Sequence, residues 1–253
     1  MSADGECWVL DLDGVVWLAD QPVPGSPEAV VRARAEGVRI IFVTNNSSMA
    51  VGDYLAKLER MGIPTNPDDL VTSAQAAASL LAPGTTALAC AGPGVVEALA
   101  QRGVETRREG PVDAVVVGWH RNFDFAGLDR ACQAVWGGAR LVATNADATY
   151  PTPDGLLPGA GSILASVEFA TGTKAEVAGK PQQPIVDLLK LRAGRIDMVV
   201  GDRLDTDGLL ATRLGVAFGL VLTGVTTKAP EENRPEVVAE DLQGIVAARQ
   251  GGH

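Results

Sequence analysis

Short apolar runs recur along this chain, and the runs that look like buried strands stop abruptly at polar residues. Trp8 to Leu12 carries Asp11 at its end and is followed at once by Asp13 and Gly14. Arg39 to Val43 runs into Thr44-Asn45-Asn46-Ser47, Ile196 to Val200 into Gly201-Asp202-Arg203-Leu204-Asp205-Thr206-Asp207, and Val216 to Leu222 into Thr223-Gly224. Helix-like stretches separate these runs. Near-continuous apolar strands alternating with helices constrain the chain to an α/β fold with a mainly parallel, doubly wound sheet, because parallel strands need crossover helices that bury both faces.

The helices are read from spacing and stop signals. Pro27 to Glu36 opens on a proline and ends at Gly37, the usual asymmetry of helix ends. Val51, Leu55, Leu58 and Met61 recur at helical spacing before Gly62, and Ile185, Val186, Leu188 and Leu189 mark a later helix. A terminal helix is expected within residues 236–249. The middle reads as a unit of its own, with strands at Thr86 to Ala91, Ala114 to Gly118 and Leu141 to Thr144, and helices at Val95 to Arg102 and Ala126 to Val135. The expected organisation is therefore a Rossmann-like core from residues 1–78 and 177–253, interrupted by an inserted α/β domain over residues 79–176.

Composition excludes several functions. Of 253 residues, 46% are hydrophobic and 21% charged, which is enough apolar material for a packed core. The net charge is -10 with no basic block, so a nucleic-acid partner is not expected. No apolar run approaches the roughly 20 residues of a membrane span, and the first residues lack a signal-peptide pattern, so the expected location is cytoplasmic. Cys7, Cys90 and Cys132 form no C-x-x-C pair and read as small buried hydrophobes. With two histidines, His120 and His253, the chain cannot carry an H-E-x-x-H zinc site. Catalysis has to come from carboxylates, lysine and a hard metal ion.

In open parallel sheets ligands bind beyond the carboxyl ends of the strands, where this chain carries its polar residues. Two carboxylates as close as Asp11 and Asp13 repel each other and resist desolvation. A cation resolves that repulsion: Asp11 and Asp202 offer the oxygen ligands that Mg²⁺ favours. A carboxylate can also attack phosphorus to form an aspartyl-phosphate, and a second can exchange the protons. Lys180 in Ala178-Gly179-Lys180-Pro181, the Thr44 hydroxyl and loop amides would hold phosphoryl oxygens, and phosphoryl transfer requires little more than positioning and charge stabilisation.

These residues resemble the haloacid dehalogenase superfamily of aspartate-nucleophile phosphatases. D-L-D-G-V is similar to its first motif, T-N-N-S to its second, G-K-P to its lysine motif and G-D-R-L-D-T-D to its acidic fourth motif, in the same order. The insert between the second and third motifs resembles the large-cap branch, which includes nitrophenyl, phosphoglycolate, glycerol-phosphate, pyridoxal and nucleotide phosphatases. The resemblance implies a Mg²⁺-dependent hydrolase of small phosphorylated metabolites. It assigns Asp11 as nucleophile and metal ligand, and Asp13 as general acid/base with its backbone carbonyl on the metal. Asp202 becomes the other metal carboxylate and Asp207 a supporting residue. Thr44, Asn45, Asn46 and Lys180 would bind the phosphoryl group. A-T-N-A-D-A-T-Y-P-T-P-D-G resembles the substrate-specificity loop, which brings Asp147 and Tyr150 to the substrate. Dimerisation through the cap is also implied. The chain departs from the family at Ala148, where proline is common, and at Gly208, where an apolar residue is common.

Blander readings stand beside these. Asp205 reads as a helix cap, Thr223 as a structural strand-end residue, and His120, after Trp119, as a structural histidine. Ala91-Gly92-Pro93-Gly94 has Glu97 where a dinucleotide fingerprint needs its third glycine. The rival functions are a phosphotransferase or mutase on the same scaffold, a dehalogenase, and a non-catalytic metabolite-binding protein. A dehalogenase has no use for Asp202 or Asp13, and a binding protein would not need the two N-terminal aspartates and Lys180 together.

Overall fold

The computed structural model describes residues 5–152, 154–232 and 234–250. Its larger sheet has six parallel strands in the order Val237–Ala239, Ala217–Val221, Met198–Gly201, Cys7–Asp11, Arg39–Thr44, Leu70–Thr72. The first strand is central and buried on every residue. From it the chain winds outward to Arg39–Thr44 on one side, then resumes much later at Met198–Gly201 on the other. The strand order thus reverses between Cys7–Asp11 and Met198–Gly201, and such a reversal opens a crevice at the carboxyl ends.

Residues 86–177 build a second parallel sheet in the order Glu176–Val177, Arg140–Ala143, Ala114–Val117, Thr86–Cys90, Glu105–Thr106. An antiparallel hairpin, Thr149–Thr152 with Gly155–Pro158, projects from it. The boundary expected at 176/177 falls inside Glu176–Val177, which pairs with Arg140–Ala143. Of the loop motif singled out in the sequence, Pro153 lies outside the described residues.

Helices Ser26–Ala35, Val51–Arg60 and Leu242–Gln250 cover one face of the larger sheet, around Trp8, Leu10, Phe42 and Tyr54. On the other face, one hydrophobic cluster joins Val9 and Ile41 of the larger sheet to Ala87, Val116 and Val142 of the second. Alanines 74, 76, 77 and 78 of helix Ser73–Ser79 lie within that cluster. The two sheets therefore share packed interior. Among the described residues no helix is long and apolar enough to cross a membrane.

The expected long elements are present with boundaries moved by one or two residues. Several others differ from the sequence reading, the short strands Trp17–Leu18, Gln21–Pro22, Glu105–Thr106 and Glu176–Val177 and the hairpin of Thr149–Thr152 with Gly155–Pro158 among them. Leu70–Thr72, helix Ser73–Ser79 and helix Ala160–Thr171 had not been expected, and Val237–Ala239 is an edge strand inside the stretch read as a terminal helix. Alanine-rich Ser73–Ser79 and the nearly all-apolar start of Ala160–Thr171 lack the one-sided pattern that reveals a surface helix. The two three-residue strands are too short to display a period.

Candidate active site

Asp11 ends its strand at the crevice and is buried. The Lys180 Nζ lies 2.7 Å from Asp11 Oδ1 and donates to Asp207 Oδ1, also at 2.7 Å. Burial disfavours the Lys180 ammonium, but the Asp11 and Asp207 carboxylates outweigh it and hold its pKa above the ordinary lysine value. Asp11 is pushed well above the usual carboxylate range, chiefly by burial and then by Asp207 and Asp202, with Lys180 opposing.

Asp202 follows Met198–Gly201, across the crevice from Asp11. Its Oδ2 accepts the Val225 N–H at 2.5 Å, while its buried Oδ1 has no hydrogen-bond partner among the described residues. Burial first, then Asp207, raises its pKa to about 7. Carboxylate oxygens of Asp11, Asp202 and Asp207 lie within 4.8 Å of one another. A buried trio of acids with one orphaned oxygen is an arrangement that a hard divalent cation completes, since hard cations take carboxylate oxygens.

Local backbone makes this crowding feasible. Gly14 has φ 88, and a Cβ there would lie 2.6 Å from Asp202 Oδ2. Residues Leu204–Gly208 form a single π-helical turn, and widened turns of this kind recur at functional sites. The turn directs Asp207 inward, where its Oδ2 accepts the Arg203 N–H, while Asp205 stays exposed and pairs with the Arg203 guanidinium.

Asp13 occupies the other side of the pocket. Its Oδ1 accepts from Trp17 Nε1 and from the Tyr150 hydroxyl, each at 3.0 Å, and its Oδ2 lies 3.5 Å from Thr44 Oγ1. Burial raises its pKa, with the Tyr150 hydrogen bond opposing. Trp119 stacks on Tyr150 with ring centroids 5.0 Å apart and donates to the Pro158 carbonyl, which pins the hairpin over the site.

Asp11, Asp13, Thr44, Asn45, Asn46, Asp147, Tyr150, Lys180 and Asp202 all line one pocket of about 50 Å³. Four of them contact different partners from those the sequence suggests. The Asn45 amide is fully engaged: Oδ1 accepts the Lys180 N–H, and Nδ2 donates to the Lys180 carbonyl and both Asp147 oxygens. Asp147 is held by that contact, and Tyr150 reaches Asp13. Asn46 Oδ1 accepts from Ser48, while its backbone N–H donates to Thr44 Oγ1. Thr223 donates its hydroxyl to the Gly14 carbonyl. His120 lies away from the pocket, in a groove with Arg107, Arg108 and Arg130, where its ring meets Phe123 edge-on. Asp205 likewise does not line the pocket.

Sequence reasoning did not single out Trp17, Trp119, Asn145, Arg203 or Thr206, although all but Trp17 line the pocket. Asn145 is buried and donates to the Asn45 carbonyl. Arg203 and Thr206 lie inside the G-D-R-L-D-T-D stretch, so a closer reading of that motif could have included them. Nothing in the one-dimensional pattern marks Trp17 or Trp119.

Comparison with known proteins agrees with this geometry. Residues 8–105 match the haloacid dehalogenase-like hydrolase family, and residues 177–245 match the HAD-hydrolase-like family. The chain is 37% identical over 257 residues to D-glycerol 3-phosphate phosphatase of Mycobacterium tuberculosis, covering 97% of this chain and 72% of that protein. It is 32% identical to acid sugar phosphatase of Staphylococcus saprophyticus, covering 95% and 96%. The p-nitrophenyl phosphatase structure from Archaeoglobus fulgidus aligns at TM-score 0.87 and 31% identity, over 97% of this chain and 99% of that one. The M. tuberculosis glycerol phosphate phosphatase has been solved in complex with magnesium, and that structure aligns at TM-score 0.86 and 36% identity, over 95% and 76%. The chain belongs to the haloacid dehalogenase-like hydrolase family.

Proposed function

We propose that this protein is a Mg²⁺-dependent phosphatase that hydrolyses small phosphate monoesters through an aspartyl-phosphate on Asp11. The observation that carries the reading is the buried Asp11–Lys180–Asp207 chain beside the unpartnered Asp202 Oδ1. The phosphatase relatives support it. Asp11, Asp202 and the Asp13 carbonyl would hold the cation, with Asp207 supporting through Lys180. When bound, Mg²⁺ offsets the charge of the carboxylates and of the phosphoryl oxygens.

Asp11 attacks phosphorus while the ester oxygen departs, and Asp13 gives that oxygen its proton. Water then loses a proton to Asp13 and attacks the same phosphorus, which frees Asp11 and inorganic phosphate. Lys180, Thr44 Oγ1 and the amides around Asn45 and Asn46 hold the phosphoryl oxygens. Asn45 also ties Lys180 to Asp147, so the phosphate subsite and the loop of the second sheet form one hydrogen-bonded unit.

The segment over residues 79–176 acts as a cap in this reading. A pocket of about 50 Å³ has room for only a few waters. The hairpin bearing Tyr150 must therefore move for an ester to bind, and its closure excludes bulk water. The small pocket and the glycerol-phosphate and sugar-phosphate relatives favour a compact polyol or sugar phosphate. Water as acceptor distinguishes this from a phosphotransferase; incubation with a sugar acceptor should give free phosphate and no transferred ester. A cytoplasmic location accords with three free cysteines. A homodimer through the cap accords with Phe125, Trp136 and Phe169, all exposed on its helices.

The direct test is phosphate release from a panel of esters with Mg²⁺, using Asp11→Asn as the blank. Turnover in the wild type with about 10²-fold or greater loss in Asp11→Asn supports the assignment. An Asp11→Asn enzyme of near-normal activity would remove Asp11 as nucleophile.

A further inference from the structure

The two oxygens of Asp13 have different surroundings. Oδ1 accepts two hydrogen bonds, from Trp17 Nε1 and the Tyr150 hydroxyl, whereas among the described residues the one hydrogen-bond partner of Oδ2 is Thr44 Oγ1, at 3.5 Å. The two donors differ in what they permit. A phenol can donate or accept, so Tyr150 alone would tolerate a proton on Oδ1. An indole N–H can only donate. A proton on Oδ1 takes one of its lone pairs and makes it a poorer acceptor, so the Trp17 hydrogen bond would be weakened.

Trp17 is itself held firmly. Its side chain is almost fully buried, and its ring lies near-parallel to Tyr54 with centroids 6.4 Å apart. The Lys57 ammonium lies 4.1 Å from the centroid of the Trp17 ring. Lys57 also donates to the Ala19 carbonyl and lies 3.6 Å from Asp20 Oδ1, which fastens the turn between Trp17–Leu18 and Gln21–Pro22. A buried lysine costs desolvation, and burial does lower its pKa. Its contacts hold the Trp17 turn, and its charge also acts on the Asp13 carboxylate. An ammonium over the ring face draws π density from the indole and makes its N–H a better donor.

We propose that Trp17, clamped by Lys57, is a positioning residue that keeps Asp13 Oδ1 as an acceptor and assigns all proton transfer to Oδ2. In the first half-reaction the Oδ2–H proton passes to the departing alkoxide as the P–O ester bond breaks. In the second, Oδ2 takes a proton from the attacking water as the bond between phosphorus and Asp11 breaks. The proposal rests on the phosphatase reading above and deepens it. Trp17 touches no reacting atom. Its effect is carried by the orientation of the Asp13 carboxyl group.

A role in orienting the acid has a signature that a merely structural role lacks. Protonation of the leaving group matters for an alkoxide and little for 4-nitrophenolate, which departs as a stable anion. Trp17→Phe keeps an aromatic ring and removes the donor. In single-turnover measurements it is expected to slow phosphorylation of Asp11 by glycerol 3-phosphate roughly 10- to 100-fold and by 4-nitrophenyl phosphate about 3-fold or less, a fraction of the range seen for general acid catalysis. The hydrolysis step, common to both esters, should slow equally. KM should change little for either ester. Lys57→Met should show the same leaving-group dependence with a smaller loss. Equal losses on both esters in the phosphorylation step, or no loss on either, would overturn the proposal.

The hydrogen bond can be tested without turnover. With ¹⁵N-labelled tryptophan, the Trp17 indole resonance, assigned by its disappearance in Trp17→Phe, should move upfield in Asp13→Ala. If Trp17→Phe fails to fold, the Lys57→Met kinetics decide the matter, and the indole signal that moves in Asp13→Ala is then taken as that of Trp17. An indole spectrum unchanged in Asp13→Ala would defeat the proposal whatever the activity. A wild-type protein that releases phosphate from neither ester would instead defeat the phosphatase reading.

Discussion

Replacing Lys180 by methionine removes the one ammonium shared by Asp11 and Asp207 while nearly preserving side-chain volume. Each carboxylate contact is 2.7 Å long. At an effective dielectric constant of about 20 such a contact is worth about 6 kcal/mol before desolvation is subtracted. Deleting one partner of a buried ion pair costs about 3–5 kcal/mol net, because the remaining charge stays buried and unpaired. At pH 8 without Mg²⁺ the variant should lose about that much stability, which at about 2–4 °C per kcal/mol lowers Tm by roughly 6–20 °C.

The loss should shrink at pH 5, and the sign follows from Asp11. Its pKa is already raised in the folded protein, and removal of Lys180 eliminates a cause that lowers it. The folded variant then takes up a proton on Asp11 that the unfolded chain does not bind, so its stability falls as pH rises. Calorimetric Tm values at pH 5 and pH 8, in EDTA, check this. A deficit equal at both pH values, or larger at pH 5, would refute the account of Lys180 as compensation for buried carboxylates.

Two further outcomes follow from the same site. The Asp202 pKa rises from 3.8 to about 7 on folding, so the folded state holds its proton longer and the metal-free protein should lose stability between those pH values. Mg²⁺ competes with that proton, and its thermal stabilisation, read by a melting assay, should therefore be larger at pH 8 than at pH 5.5; the opposite order would remove Asp202 as a ligand. In Gly224→Ala the new Cβ would overlap Asp202 Oδ2 and come within 2.5 Å of its Cγ. The concentration of Mg²⁺ needed for half-maximal phosphate release should rise at least about tenfold, a shift of roughly 1.4 kcal/mol. An unchanged metal requirement would mean that Asp202 is not needed where it stands.

Much of the architecture is legible locally. Parallel strands buried on both faces require unbroken apolar runs, and Trp8 to Leu10, Ile40 to Val43 and Val199–Val200 supply them. Helix Ser73–Ser79 could also have been read, since Thr72 and Gln75 form a capping box with both reciprocal hydrogen bonds. It passes unnoticed because its alanines give no polar face to contrast with a buried one. Those alanines join the cores of the two sheets, so a segment that looks separate along the chain is continuous with the other in its interior.

The sequence by itself determined that carboxylates and hydroxyl or amide groups would gather at strand ends, because parallel strands share one direction and bring all their carboxyl termini to one rim. It also determined the chemical type of the site, since two histidines and no C-x-x-C pair leave oxygen ligands and an ammonium. Only the tertiary structure decided how those groups divide their work. Asn45 joins Lys180 to Asp147, Tyr150 donates to Asp13, and Trp17 and Lys57 complete a chain of contacts to that same carboxyl group. These contacts connect residues from 4 to 137 positions apart. No local period or motif encodes the contacts that span a hundred positions or more: their distances and angles exist only once the two sheets have packed.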